Sequence, residues 1–353
     1  MTAANPGALP WLEAPLQEAL RNRRGHAMLV RGPAGVGQFE LAMVLARAWL
    51  CEASDGEQPA CGECAACRLF HSHTHPDLMV LLPDALRAGL GWDDASGEAD
   101  ASGADKASKA KPSKDIKVEA VRAAIAFAQT TSARGRCKVL VMHPAERMNH
   151  VAANALLKTL EEPPGDARLL LCSGNPDALL PTIRSRCQTV ALALPPRPVA
   201  LEWLAGQGVV RPEVLLAACG GQPLDVLDLR AQGVDAELWL RVPGMVARGE
   251  ASALAALAPA LLIDTLTKLC HDTLCIGVGA PPRYFAREGL VPGVSVAALE
   301  GWRVALQGAA RHAEHPWNAG LLAESLVLQG ATVLTAARSS RPAGQGASVN
   351  SAR

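Results

Sequence analysis

Four cysteines, Cys51, Cys61, Cys64 and Cys67, follow one another with the spacing C-x9-C-x2-C-x2-C. Thiolates gathered in one short segment suit a tetrahedral Zn2+, and four sulfur ligands close its coordination shell. A catalytic zinc keeps an open position for water beside a general base, and neither is evident here. The expected role is structural: a metal that pins the excursion following the first helix of the fold. His71, His73 and His75 stand just behind, so Cys61, Cys64, Cys67 and His71 form an alternative ligand set. The other six cysteines are scattered through apolar runs and read as core residues.

A second stretch, Gly32-Pro33-Ala34-Gly35-Val36-Gly37-Gln38-Phe39, has the glycine spacing of a Walker A phosphate loop. Gly32 and Gly37 would let backbone N–H groups curl around phosphates at a helix N-terminus. The ionic partners are missing. Gln38 stands where a lysine contacts the β- and γ-phosphates, and Phe39 where a hydroxyl holds Mg2+. Each lost charge-assisted hydrogen bond forfeits roughly 1.5–3 kcal/mol. The acidic pair needed after a later strand is absent too: Lys138–Met142 runs into His143-Pro144, and Glu146 comes only in the following turn. Residual weak contact through backbone amides is the most this loop promises. No productive ATP binding and no intrinsic ATPase are expected.

Elements must hold these groups in place. Up to residue 195, short apolar runs alternate with helical patterns, as a parallel α/β sheet requires. Expected strands are Ala27–Val30, Leu78–Leu82, Lys138–Met142, Arg168–Cys172 and Thr189–Leu194. Expected helices are Phe39–Leu50, Val118–Thr130 and Val151–Glu162, the last stopped by Pro163-Pro164. After Pro195-Pro196 the strand signals cease. A small helical domain is expected over 196–234 and a larger all-α domain over 235–337, with helices Ala251–Cys275, Val296–His312 and Asn318–Leu334. The segment 84–115 is rich in Ala, Ser, Gly, Asp and Lys and reads as a disordered insertion, and the tail 338–353 reads likewise.

Bulk composition narrows the function. The 353 residues carry 34 Lys+Arg against 34 Asp+Glu, so nothing draws the whole chain to DNA or to anionic membranes. Four Phe, seven Trp and one Tyr are too few for a module that stacks many bases. The N-terminus lacks the basic start and apolar run of a secretory signal, and no run reaches the roughly 20 apolar residues of a membrane span. A cytoplasmic location is expected, where clustered cysteines hold metal rather than form disulfides.

Two strings, Asn154-Ala-Leu-Leu-Lys-Thr-Leu-Glu-Glu-Pro-Pro164 and Ile183-Arg-Ser-Arg-Cys187, together with the four-cysteine segment, resemble the AAA+ clamp-loader subunits of bacterial DNA polymerase III. The resemblance implies an N-terminal RecA-like AAA+ domain, a helical lid and an all-α collar used for oligomerisation. With both nucleotide motifs broken, it implies a non-hydrolysing, stator-like member of the five-subunit ring that loads the sliding clamp onto primed DNA. The implied partners are the gamma/tau motor and delta subunits, and through them the clamp and DNA. Arg186 matches the arginine finger that such subunits present to a neighbour's ATP, with Arg184 as the alternative. At the lid arginine that senses nucleotide in active relatives this chain has Leu224, after Gly221-Gln222-Pro223.

Two other readings compete: an unusual ATPase working through Gln38 and Glu146, and a zinc-containing module that binds DNA alone. Neutral charge and scarce aromatics oppose the second; the basic clusters Arg21-Asn22-Arg23-Arg24 and Arg134-Gly135-Arg136 read as solvated surface or subunit contacts, with phosphate contact inside a ring as the alternative.

Overall fold

A computed structural model describes residues 9–22, 25–92, 112–313, 315 and 317–339. The chain divides into two compact units, Met1–Trp203 and Leu204–Arg353. The first begins with α1 (Glu13–Arg21), β1 (Ala27–Arg31), α2 (Gln38–Leu50) and α3 (Ala65–His71). It continues through β2 (Leu78–Leu81), α4 (Asp84–Leu90), α5 (Val118–Gln129) and β3 (Val139–Met142). Then come α6 (His150–Glu161), β4 (Arg168–Ser173), α7 (Pro181–Arg184), β5 (Gln188–Ala191) and α8 (Arg197–Gly206), which the unit boundary cuts.

The five strands are all parallel, in the order β2-β3-β4-β1-β5. Strand β3 is buried along its whole length, and β1 and β4 nearly so, because helices cover both faces of the sheet. On one face Leu29, Leu140, Met142, Leu169 and Leu171 pack with Val121 and Ala124 of α5 and Leu156 and Leu160 of α6. Removing each such Leu or Val from water is worth roughly 1.5–3 kcal/mol. Helix α2 packs on β1, β3 and β4 from the opposite face, where the Cys172 thiol reaches the Gln38 carbonyl at 3.4 Å. β1 lies between β4 and β5 although its own connection leads to the far edge at β2. The loop leaving β1 therefore opens at the carboxyl edge beside a change of chain direction, where ligands of such sheets bind.

The second unit is helical: α9 (Pro212–Ala218), α10 (Pro223–Ala231), α11 (Ala236–Arg248), α12 (Pro259–Gly277), α13 (Val296–Arg311) and α14 (Ala319–Ser339). Asp235 caps α11 by accepting the Leu238 N–H at 2.7 Å. The buried Asp272 carboxylate accepts the N–H groups of Arg283, Tyr284 and Phe285, which ties the loop after α12 to that helix. Trp239 stacks on Phe285 with ring centroids 4.5 Å apart. Gly330 sits so close to Val246 and Trp302 that a Cβ there would meet them at 2.7 and 2.8 Å.

Some expectations need correction. The helix expected over Ala251–Cys275 is a short 3-10 turn, Leu254–Ala256, followed by α12. Pro259 has no N–H to donate and serves as the first residue of α12, not an interior one. The segment 84–115 is ordered at both ends: Asp84–Leu90 is helical, Trp92 is buried, and Ser113 accepts the Asp115 N–H. Its middle, 93–111, lies outside the described residues, as do Arg23, Arg24 and the tail beyond Ser339. Helices α1 and α3 went unanticipated. Among the described residues no helix is long and apolar enough to cross a membrane.

Candidate functional site

The glycine loop after β1 is closed upon itself. Gly35 and Gly37 have φ of 68° and 102°, a left-handed backbone that costs glycine little. Gly32 answers a different demand, since a Cβ there would lie 2.5 Å from the Leu192 carbonyl oxygen. Gln38 is buried, 4% exposed, and its amide nitrogen turns back to donate to the carbonyls of Gly32, at 2.9 Å, and Pro33. From outside, the Trp11 indole N–H donates to the Val36 carbonyl at 2.8 Å, and Leu9 and Leu12 press against Gly37. Trp11 also meets Trp203 edge-on at 5.3 Å. The uncharged side chain that replaced the lysine thus bonds the loop's own backbone, and an apolar strap covers it.

Behind the loop, Phe39 packs on the His143 ring at 5.1 Å. Burial pulls the His143 imidazole down to about 4 against the opposing pull of Glu146, so it is neutral at pH 7. One Glu146 oxygen accepts the N–H groups of Gly174 and Asn175 at 2.9 and 3.1 Å. That carboxylate braces the exit of β4. Glu146 Oε2, His143 Nδ1 and Ser173 Oγ are buried with no hydrogen-bond partner among the described residues. Leu224, at the start of α10, is half-buried and brings no cation.

The four cysteines meet at the junction of α2 and α3. Cys51 caps the end of α2, and Cys64 caps the start of α3, its sulfur accepting the Cys67 N–H. Sulfur separations are 3.6 Å for Cys51–Cys61, 3.9 Å for Cys51–Cys64 and 4.0 Å for Cys61–Cys67. Zinc–sulfur bonds of about 2.3 Å in a tetrahedron put sulfurs about 3.8 Å apart, so the donors fit Zn2+. Backbone N–H groups point at the sulfurs as they would at bound thiolates: Cys61 onto Cys51, and Glu63 and Cys64 onto Cys61. Burial opposes ionisation of Cys64, yet the Cys67 N–H and its neighbours bring that thiol down to about 6. His71 lies apart, 3.3 Å from Arg47, while His73 stacks on Trp92 and His75 accepts the Asp77 N–H.

The cysteine segment is moored by residues read as a basic cluster. Arg134 binds Glu52 through Nε, at 2.8 Å, and Nη2, and Arg136 donates to the Ser54 carbonyl. Their turn is organised by the buried Asp77, which accepts from Ser132 Oγ, the N–H groups of Ala133 and Arg134, and Lys138. Burial works against the charge of Asp77, but these donors hold its carboxyl below the usual range. Trp11, set between Leu9 and Leu12, was the only sequence hint of the strap. The Asp77 anchor had no local signal, because its partners are about 55 residues away.

Arg186 follows α7 and is fully organised. Its Nε donates to Glu161 at 2.7 Å and its Nη2 to the same oxygen. Nη1 donates to the Thr182 carbonyl at 3.0 Å. Arg184 points instead to Asp177 at 2.6 Å.

A five-stranded parallel sheet whose first strand runs through a Walker-type glycine loop into a helix defines an α/β domain of the P-loop kind. The family profile described as "DNA polymerase III, delta subunit" matches residues 12–196, just over half the sequence, and the chain belongs to that family. The delta' subunit of Pseudomonas aeruginosa is 43% identical over 231 residues, 64% of this chain and 62% of that protein. The delta' subunit of Escherichia coli K12 is 32% identical over 213 residues, 59% of this chain and 56% of that protein. DNA polymerase III subunit tau of Escherichia coli K12 is 33% identical over 162 residues, 46% of this chain and 20% of that one. The matches thus span less than two thirds of either delta' relative.

Proposed function

We propose that the chain is a non-hydrolysing subunit of the DNA polymerase III clamp loader, supplying Arg186 to the ATP site of a neighbouring subunit while the ring places a sliding clamp on primed DNA. One asymmetry carries this reading. The chain's own loop is occupied by Gln38 and covered by Trp11, Leu9 and Leu12, whereas Arg186 is rigidly presented and partly exposed. Gamma/tau and delta subunits are the proposed partners, with the clamp and DNA met through the complex, in the cytoplasm. Residues 196–234 act as a lid, and 235–337 as the oligomerising collar. Zn2+ held by Cys51, Cys61, Cys64 and Cys67 is structural, fixing the turn between α2 and α3 against Arg134 and Arg136.

Reconstitution with those partners tests the reading. Isolated, the chain turns over no ATP. In the complex, Arg186→Ala removes the part of the DNA-stimulated ATPase that depends on this one site. Fingers elsewhere contribute about 10³–10⁵ in rate at their own site. Full activity with Arg186→Ala, or healthy turnover by the chain alone, overturns the proposal.

A further inference from the structure

We infer that Glu161 is a positioning residue for Arg186, holding one edge of its guanidinium so that the other stays free for a neighbour's phosphate. The inference rests on the finger reading above and deepens it. A guanidinium carries five N–H groups in one plane. In this chain Nε and Nη2 both donate to Glu161 Oε1, and Nη1 donates to the Thr182 carbonyl. What remains is the second N–H of Nη2, which meets no partner among the described residues, while Nη1 has beside Thr182 only the distant Ser185 Oγ, at 3.5 Å. The Arg186 side chain is 34% exposed, so it is not closed off from a neighbouring molecule.

The anchoring points are themselves fixed. Glu161 is the last residue of α6, whose face is buried through Leu156 and Leu160, and Pro163-Pro164 forbid the helix to continue. Thr182 belongs to α7, which packs on α6 with Ile183 fully buried. Two elements of the core therefore set the plane of one long side chain that would otherwise sample many rotamers. Pre-orientation of that kind matters because a misplacement of about 1 Å can cost about 10²-fold in rate. The short Glu161 oxygen contact is also one that a neutral amide oxygen can reproduce, since a single atom accepts both donors.

The test uses the reconstituted complex with ATP and primed DNA. Relative to wild type, Glu161→Ala lowers the kcat of the Arg186-dependent ATPase by about 5–20-fold, with KM for ATP and the melting temperature of the chain unchanged. Glu161→Gln, which keeps the accepting oxygen, recovers at least about half of the rate. In an Arg186→Ala background Glu161→Ala has no further effect, because its action runs through that one side chain. If Arg186→Ala alone leaves the rate intact, the finger reading falls and this inference with it. If Arg186→Ala lowers the rate but Glu161→Ala leaves it equal or faster, or if the two losses add, only the positioning role is overturned.

Discussion

Gln38 shows why a missing charge is easier to read than a new contact. The sequence exposes the absence of lysine directly, but not that the replacement amide bonds the carbonyls of Gly32 and Pro33. Restoring the cation alone should therefore fail. Gln38→Lys still faces Phe39 in place of a magnesium ligand and the Trp11 strap over the loop, so titration with Mg-ATP should give a Kd weaker than about 1 mM. Micromolar binding would show that the loop is open after all. His143 gives a second prediction. Its folded pKa of about 4 lies below the ordinary 6.5, so the unfolded chain binds the extra proton first. The neutral ring contributes stability that is complete above pH 6.5 and is lost as pH falls towards 4, in total about 3 kcal/mol. His143→Phe should flatten that part of the stability–pH curve, measured by urea unfolding at pH 4, 5.5 and 7. A curve of unchanged slope would place the acid loss elsewhere.

At the scale of elements, the apolar runs and the prolines located all five strands and the three long helices among them, mostly to within a residue or two. The period-2 and period-3.6 patterns are strong because both faces of the sheet are buried. Legibility failed where elements are short or locally polar. Helix α3 has seven residues and owes its start to the Cys64 sulfur, a cap outside the usual Ser, Thr, Asp and Asn. Helix α4 opens the Ala- and Gly-rich segment whose composition suggested disorder, yet Lys117 and Arg87 both pair with its first residue, Asp84. The cysteine segment invites a direct check. Chelation, or Cys64→Ser, should release one Zn2+ per chain, detected with a chromogenic indicator, and lower the melting temperature by more than about 5 °C. Retention of full stability with no metal released would remove zinc from this turn.

Across the whole molecule, the chain falls into two compact units, the first with its core around the sheet, and changes in one unit should register there first. Gly330→Ala forces a methyl group against Val246 and Trp302 in the second unit, an overpacking of about 1–3 kcal/mol. Calorimetry should show the helical unit's transition lowered and that of the unit with the four cysteines unchanged, whereas chelation should do the reverse; a single transition moved equally by both would mean that the units melt together. The three-part division read from sequence followed the end of the strands, while the compact units divide within α8 and keep α9 and α10 with α11–α14. No periodicity in the sequence could reveal that grouping, because it depends on long-range partners such as the Gly220 carbonyl and Arg283. The close approach of Leu192 to Gly32 has its own lesson. That glycine survives for want of room beside a neighbouring strand's exit, so any larger residue would damage the architecture even in a protein that had abandoned nucleotide altogether. A signature scan would score it as evidence of cargo, although the tightness of the frame demands it whatever the loop holds.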